Sequence, residues 1–407
     1  MQTARALEIR IFLSTGSPAR VKNYKKKIND KMVSILQVGL GANIPYFLCY
    51  GLQKIYNLPC MLLLPKNAPL PELYYGYGSG NPLNINIQKA KILRYQIFDT
   101  LVKGILTIRS SDIYLHMHMG RSLSTFMLTK MLKIFTSLLD RDLHVVWHFH
   151  GTDIRTMPEL HRALFVKGSV EKYFVSTPDL LTYSYKMGIK AEYLPNPVDP
   201  LIELGYEDES FIRPEVLSYI NKLSHIRRYK KMIFIPTRQD HTKGLQTFIH
   251  FLMHSQVVKK YQNRVFFAII KWGNYSGEFI KALKKMNLDV VVLPLLNRHE
   301  YLKVLKLSDI VIGQFKLGIL SLTELEALAL GKPLIMGNLL PIVHSVYSTR
   351  IPVYEVSLDN FDHILSEVMD EDENSSYNEI LKRKNFIKSF HSIKRVTQLY
   401  AAALKLA

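Results

Sequence analysis

Short apolar runs alternate with stretches of helical periodicity along most of this chain, and the whole pattern occurs twice. The first series lies at 32–38, 60–64, 113–116, 145–149, 173–176 and 193–194. Runs this short and apolar fit strands covered on both faces, and the helical stretches between them fit the crossovers of a parallel sheet. The series stops at Pro195-Asn196-Pro197-Val198-Asp199-Pro200. Proline lacks a backbone donor and restrains its predecessor, so regular structure ends here and a hinge is expected. A second series follows at 232–235, 265–270, 290–293, 310–312, 334–336 and 353–356. The expected fold class is α/β, with one Rossmann-like α/β/α domain over 31–199 and a second over 200–385. The duplication is architectural, because the two halves share no close sequence repeat. Residues 1–30, with lysines at 22 and 25–27, read as a basic N-terminal appendage, either flexible or an arm toward a membrane. The segment 65–82, rich in Tyr, Gly, Pro and Asn, reads as a long loop, and 380–406 as a basic amphipathic helix or helix pair.

Composition narrows the class. At 407 residues, 48% hydrophobic and 21% charged, the chain is globular and long enough for two cores. No apolar run approaches the roughly 20 residues that span a bilayer. The N-terminal apolar stretch is interrupted by Arg5, Glu8 and Arg10, a poor signal peptide. Cys49 and Cys60 form neither a C-x-x-C nor a Cys/His metal spacing, which fits a reducing cytoplasm and argues against structural zinc. The formal charge of +19 suits a phosphorylated substrate or an anionic membrane surface, or reflects a generally basic proteome. Nucleic acid is not an expected partner: the basic residues form no aromatic-interleaved stripe and no zinc-finger or RRM signature.

Two segments of the second half carry the sharpest chemistry. Pro236-Thr237-Arg238-Gln239-Asp240-His241-Thr242-Lys243-Gly244 closes the 232–235 run just before a helical pattern. An Arg fork and a Lys point charge at a helix N-terminus suit a diphosphate, with no metal required. Glu324-Leu325-Glu326-Ala327-Leu328-Ala329-Leu330-Gly331-Lys332-Pro333 places Glu326 on an apolar helix face, where a carboxylate is costly to bury without a partner. That acid suits ribose hydroxyls or simply complements the helix dipole, whereas Glu324 reads as a solvated or capping acid. In the first half, Gly39-Leu40-Gly41-Ala42-Asn43 allows a tight turn and close ligand approach after the 32–38 run. His148 and His150 share one strand face, followed by Gly151 and Asp153, and His116 and His118 form a similar pair. No carboxylate or H-E-x-x-H spacing supports zinc, so His116, His118 and His148 read as cleft-lining or core residues.

Together these segments resemble the GT-B glycosyltransferases, specifically the retaining family 4, over roughly residues 32–400. The resemblance implies two lobes facing each other across a cleft, with a C-terminal helix at 386–407 packing back toward the first. It implies a metal-independent transferase moving a sugar from a nucleotide-diphosphate donor to a glycan, lipid-linked or other hydroxyl acceptor, with no cofactor beyond that co-substrate. Arg238 and Lys243 would neutralise the departing diphosphate, Glu326 would anchor ribose, and His150 would contact the sugar. Gly39, Gly41, Gly318 and Ile319 would bring backbone close to the donor, with Asn43, His118 and Asp153 on the acceptor side. The chain departs from the family's Glu-x7-Glu motif, since its first position is Gly318. Gln314 or Lys316 stands nearby to replace the lost contact. A cytoplasmic protein, peripheral on the inner face of the plasma membrane, is the matching localisation. The alternatives are a non-catalytic GT-B protein that binds nucleotide-sugars or glycans, and a nucleotide-sugar epimerase.

Overall fold

The computed structural model describes residues 33–39, 43–65, 86–90, 102, 105–106, 110–118, 123–155, 170–205, 211–370 and 373–406. Gly41, residues 1–30 and nearly all of 65–82 lie outside them. The first lobe holds strands β1 (Val33–Val38), β2 (Cys60–Pro65), β3 (Asn86–Ala90), β4 (Asp112–Met117), β5 (Asp142–Phe149), β6 (Val170–Val175) and β7 (Ala191–Tyr193). They form one sheet in the order β3-β2-β1-β4-β5-β6-β7, paired parallel throughout. The second lobe holds β8 (Lys231–Ile235), β9 (Val265–Ile270), β10 (Val290–Leu293), β11 (Ile310–Ile312), β12 (Leu334–Gly337) and β13 (Tyr354–Val356). Their order is β10-β9-β8-β11-β12-β13, again parallel. Strand order reverses between β1 and β4 in one lobe and between β8 and β11 in the other. Those reversals open the crevices where doubly wound sheets take ligands, at the carboxyl ends of the strands.

The strands read as continuous apolar runs because helices cover both faces. In the second lobe Ile233, Ile235, Phe267 and Ile269 pack against Phe248 and Phe251 of helix Leu245–His254. Met232, Phe234, Phe266 and Ala268 point the other way, onto Leu325 and Leu328 of helix Leu322–Ala329. The first lobe repeats this arrangement: Ile35 and Val146 share a core with Tyr46 and Phe47, while Leu36, Val145 and Trp147 line the opposite one. Strand β3 has no counterpart among the expected runs. Its sequence, Asn-Ile-Gln-Lys-Ala, has the polar composition of an edge strand, and β3 stands at the edge of the sheet.

The C-terminus is a helix pair, Glu373–Phe390 and Ile393–Ala403. The last helix lies on helix Ile44–Tyr56 of the first lobe, where Val396, Tyr400 and Ala401 join the core of Phe47, Leu48 and Leu52. Cys49 and Cys60 are joined as a disulfide linking helix Ile44–Tyr56 to β2. Linear spacing gave no sign of this pair, because the fold rather than a motif brings their Cα atoms to 5.3 Å. The disulfide runs against the reducing-compartment reading of these cysteines. No helix among the described residues is long and apolar enough to cross a membrane. Helix Leu123–Ser137 nevertheless exposes Met131, Ile134 and, just beyond it, Leu138, by 54, 66 and 78%.

The proline-rich connection is clamped. His391 donates from Nδ1 to the Asn196 carbonyl at 2.8 Å, and its own carbonyl accepts from Val198 N at 2.9 Å. Its Nε2 faces the Tyr347 hydroxyl at 2.9 Å, which in turn meets Tyr193 of the first lobe at 3.0 Å. Burial lowers the His391 pKa to about 4, although the Asn196 carbonyl works in the opposite direction. The folded state therefore holds a neutral imidazole that the unfolded chain protonates below about pH 6.5. Stability from this group is intact above that pH and lost as pH falls toward about 4. Urea unfolding measured across that window should show a slope that His391→Gln reduces by up to about 1.4 kcal/mol per pH unit. An unchanged slope in the variant would contradict the assignment.

Candidate functional site

At the second switch point, the loop after β8 is fastened on two sides. Gln239 is buried, donates its backbone N–H to the Trp272 carbonyl at 2.7 Å, and accepts from Trp272 N at 3.1 Å. Asp240 accepts from the Thr242 hydroxyl at 2.6 Å and from Lys243 N at 3.1 Å, and pairs with the Arg238 Nε. Burial opposes ionisation of Asp240, but Thr242, Arg238 and the Lys243 amide outweigh it and lower its pKa. On the other side, Phe315 N donates to the Lys243 carbonyl at 2.8 Å, locking the loop after β11 to the loop after β8.

Gly244 makes that lock possible. It has φ 70°, and a Cβ there would lie 2.7 Å from the Lys316 Cβ. The chain then enters helix Leu245–His254, so Lys243 and Lys316 sit at its N-terminus, and Arg238 stands earlier on the same loop. The Arg238 guanidinium is half-exposed and lies 5.9 Å from the Trp272 ring centroid. The Lys243 ammonium has no hydrogen-bond or ion-pair partner among the described residues. Three cations thus stand on two immobilised loops, an arrangement that attracts an anion.

The two glutamates play different parts. Glu324 is fully buried, accepting from Gln314 N at 3.1 Å and Ser321 N at 2.9 Å in a capping box. It is a cap, as expected, and not a solvated acid. Glu326 is 3% exposed, with Oε1 accepting from Arg298 at 2.6 Å. The same guanidinium donates from Nε to Asp199 at 2.6 Å, inside the proline-rich connection. Burial alone would depress the Arg298 pKa, but Glu326 and Asp199 hold it well above the usual value. Burial raises the Glu326 pKa, with Arg298 working to lower it. Glu326 is thus held in the interior by Arg298, with the buried Tyr301 hydroxyl beside it. Sequence reasoning missed Arg298; its signal is the capping box Asn297-Arg298-His299-Glu300 that opens helix Arg298–Leu307.

Gly318 explains the departure from the expected acidic pair. It has φ 61°, and a Cβ would lie 2.9 Å from Leu340 Cγ and 3.0 Å from the Asn338 carbonyl. No carboxylate side chain fits there. Ile319 is buried and its carbonyl accepts from Gln314 Nε2 at 2.7 Å, which holds Gln314 inside the loop with its Oε1 unpartnered among the described residues, while Lys316 is exposed.

At the first switch point, Gly39 is buried after β1, and Asn43 precedes helix Ile44–Tyr56 with its Nδ2 buried and unpartnered among the described residues. The Asp153 carboxylate accepts from the backbone of His150 at 2.9 Å, Gly151 at 2.7 Å and Ile154 at 3.0 Å. It lies in the first turn of helix Thr152–Arg155 and is not free to meet an acceptor. His118 meets Gln37 Oε1 through Nε2 at 2.6 Å and His150 Nε2 through Nδ1 at 2.8 Å. Burial lowers the pKa of His150 to about 4, with Asp153 opposing, and depresses His118 strongly. With both imidazoles neutral and Gln37 accepting, His118 donates from Nε2 and accepts at Nδ1. His150 then donates from Nε2, leaving its Nδ1 lone pair free.

No family model matches the chain, and no curated protein matches it. Solved structures do. A glycosyltransferase from Rickettsia africae has a TM-score of 0.65 at 13% identity, covering 93% of this chain and 100% of that one. Anabaena HepE in complex with UDP and glucose has a TM-score of 0.62 at 12% identity, covering 92% and 100%. WaaG, a glycosyltransferase involved in lipopolysaccharide biosynthesis, has a TM-score of 0.53 at 10% identity, covering 91% and 99%. The shared feature is the fold: two parallel α/β lobes facing each other across a cleft, the GT-B architecture.

The bridging role of Arg298 has a direct test. Arg298→Met leaves two buried carboxylates without their cation, so it should cost about 3–5 kcal/mol in urea unfolding. A loss under about 1 kcal/mol would mean that the triad does not hold the lobe in place.

Proposed function

We propose that this chain is a glycosyltransferase that moves a sugar from a nucleotide-diphosphate donor to a hydroxyl of a glycan or lipid-linked acceptor. The observation that carries the reading is the rim of Arg238, Lys243 and Lys316 on two interlocked loops at the β8/β11 switch point. A fold shared with proteins crystallised with UDP and with UDP-glucose supports it. In this reading the bond between the anomeric carbon and the diphosphate breaks, a bond to the acceptor oxygen forms, and the acceptor proton leaves with the diphosphate. Arg238 and Lys243 stabilise the charge that develops on the leaving group, and no metal is needed there. Glu326, steadied by Arg298, takes a ribose hydroxyl. Gly39, Gly41, Gly318 and Ile319 offer backbone to the donor, and His150 accepts a sugar hydroxyl at Nδ1. Asn43 faces the acceptor side, while His118 and Asp153 position His150. Retention of configuration rests on the family 4 resemblance alone.

The second reading is a non-catalytic nucleotide-sugar or glycan binder, favoured by Gly318, which leaves no acid at that position. We assign the working place to an anionic membrane surface. Exposed Met131, Ile134 and Leu138 beside Lys130, and the +19 charge, support this. Co-sedimentation with phosphatidylglycerol vesicles but not phosphatidylcholine vesicles is expected, and equal recovery with both would reject an anionic surface.

Release of nucleoside diphosphate from a nucleotide-sugar separates the two functional readings. Wild type should turn the donor over, and Lys243→Ala should lose at least about 100-fold with an unchanged unfolding midpoint. Normal turnover in the variant would remove this mechanism, and no turnover in wild type with any donor would favour the binder.

A further inference from the structure

The fold brings together two histidine pairs that the sequence keeps apart. His116 and His118 come from the end of β4 and the residue beyond it, and His148 and His150 from the corresponding positions of β5. The two strands are neighbours with His116 opposite Val146, so the pairs are offset by two residues and four imidazoles collect on one side of the sheet, at its carboxyl edge. The ring centroids of His116 and His118 are 4.0 Å apart, those of His148 and His150 4.3 Å, and those of His116 and His148 5.5 Å. Tyr400 of the C-terminal helix stacks on His116 at 5.1 Å.

A cluster of this kind is costly as it stands. His116 and His148 are fully buried, and both ring nitrogens of each lack a hydrogen-bond partner. Each neutral imidazole carries one N–H and one lone pair, so two unmet lone pairs lie buried in one small volume and call for a ligand that accepts them. Neutral imidazole is the form that ligates transition metals. His116, His118 and His148 each offer one ring nitrogen, all within 4.8 Å of one another.

We propose that His116, His118 and His148 bind one divalent transition-metal ion of the zinc class, with the fourth position open to a water or to His150. Tetrahedral zinc with bonds of about 2.0–2.1 Å places its donors roughly 3.3 Å apart, so the rings close on the ion by rotating about their side-chain bonds. His118 contributes by exchanging one hydrogen bond, with His150 at Nδ1 or with Gln37 at Nε2. Exchange at Nδ1 releases His150 from His118, so metal occupancy changes the orientation of the histidine placed under the sugar. The ion lies in the first lobe, apart from the cations that hold the diphosphate. The site rests on the histidines alone and stands whether or not the chain is a transferase.

Cobalt(II) titration of the full chain, first dialysed against a chelating resin, tests the proposal through the visible absorption of the bound ion. The expected result is saturation at one equivalent with a tetrahedral spectrum, displaced by zinc. His116→Gln and His148→Gln should each weaken binding more than about 100-fold, while the solvent-accessible control His344→Ala should not. Failure of wild type to take up cobalt or zinc stoichiometrically would overturn the proposal, as would undiminished binding in the His116 and His148 variants. If those variants do not fold, X-ray absorption of the zinc-loaded wild type decides. A first shell with three imidazoles supports the site, and a shell without imidazole overturns it.

Discussion

A single guanidinium holds the two halves of the site in register. Arg298 is buried between Asp199, in the connection between the lobes, and Glu326, in helix Leu322–Ala329. One cation against two carboxylates in a dry environment is a costly arrangement, and it persists only because both ion pairs are short and geometrically met. Asp199 also caps helix Pro200–Glu203 through Leu201 N, so the cation is tied to the backbone path between the lobes. Any tilt of the second lobe against the connection must lengthen one of these contacts. The His391 clamp on Asn196 and Val198 works on the same segment from the C-terminal side.

From that fixed frame the loops after β8 and β11 inherit their order. The loop after β8 is bonded to Trp272 beyond β9 and to Phe315 beyond β11, which leaves side chains, not backbone, free to respond to a ligand. A pre-formed cationic site costs little reorganisation when charge develops on a leaving diphosphate. The close approach that Gly244 permits adds Lys316 to the pair read from sequence. Gly318, where the resembling family carries an acid, lies in a left-handed turn walled by Leu340, and so the local backbone itself rules out the missing carboxylate.

The sheets were legible because doubly covered strands have no polar alternation to blur them: Val265–Ile270, Val290–Leu293 and Ile310–Ile312 fall where the apolar runs do. Strand β3 was not, since an edge strand with Asn, Gln and Lys looks like loop. Arg238 and Lys243 could be singled out because a strand end and a helix start flank them in sequence. Arg298 could not, because its partners lie 99 and 28 positions away. The same limit hid the disulfide and the histidine cluster. Alternation told which face each histidine shares, but only strand pairing tells that β4 and β5 are neighbours.

The central claim is that the second-lobe cations bind a nucleoside diphosphate without help from a metal. The most direct measurement is thermal unfolding of the wild-type chain with UDP, GDP, ADP and CMP, without added divalent metal and then with magnesium. At about 100 times its dissociation constant, the matching nucleotide should add about 2.7 kcal/mol of apparent stability, equally in both conditions. Arg238→Ala should abolish the rise. A shift that appears only with magnesium, or no shift with any of the four nucleotides, would contradict the account.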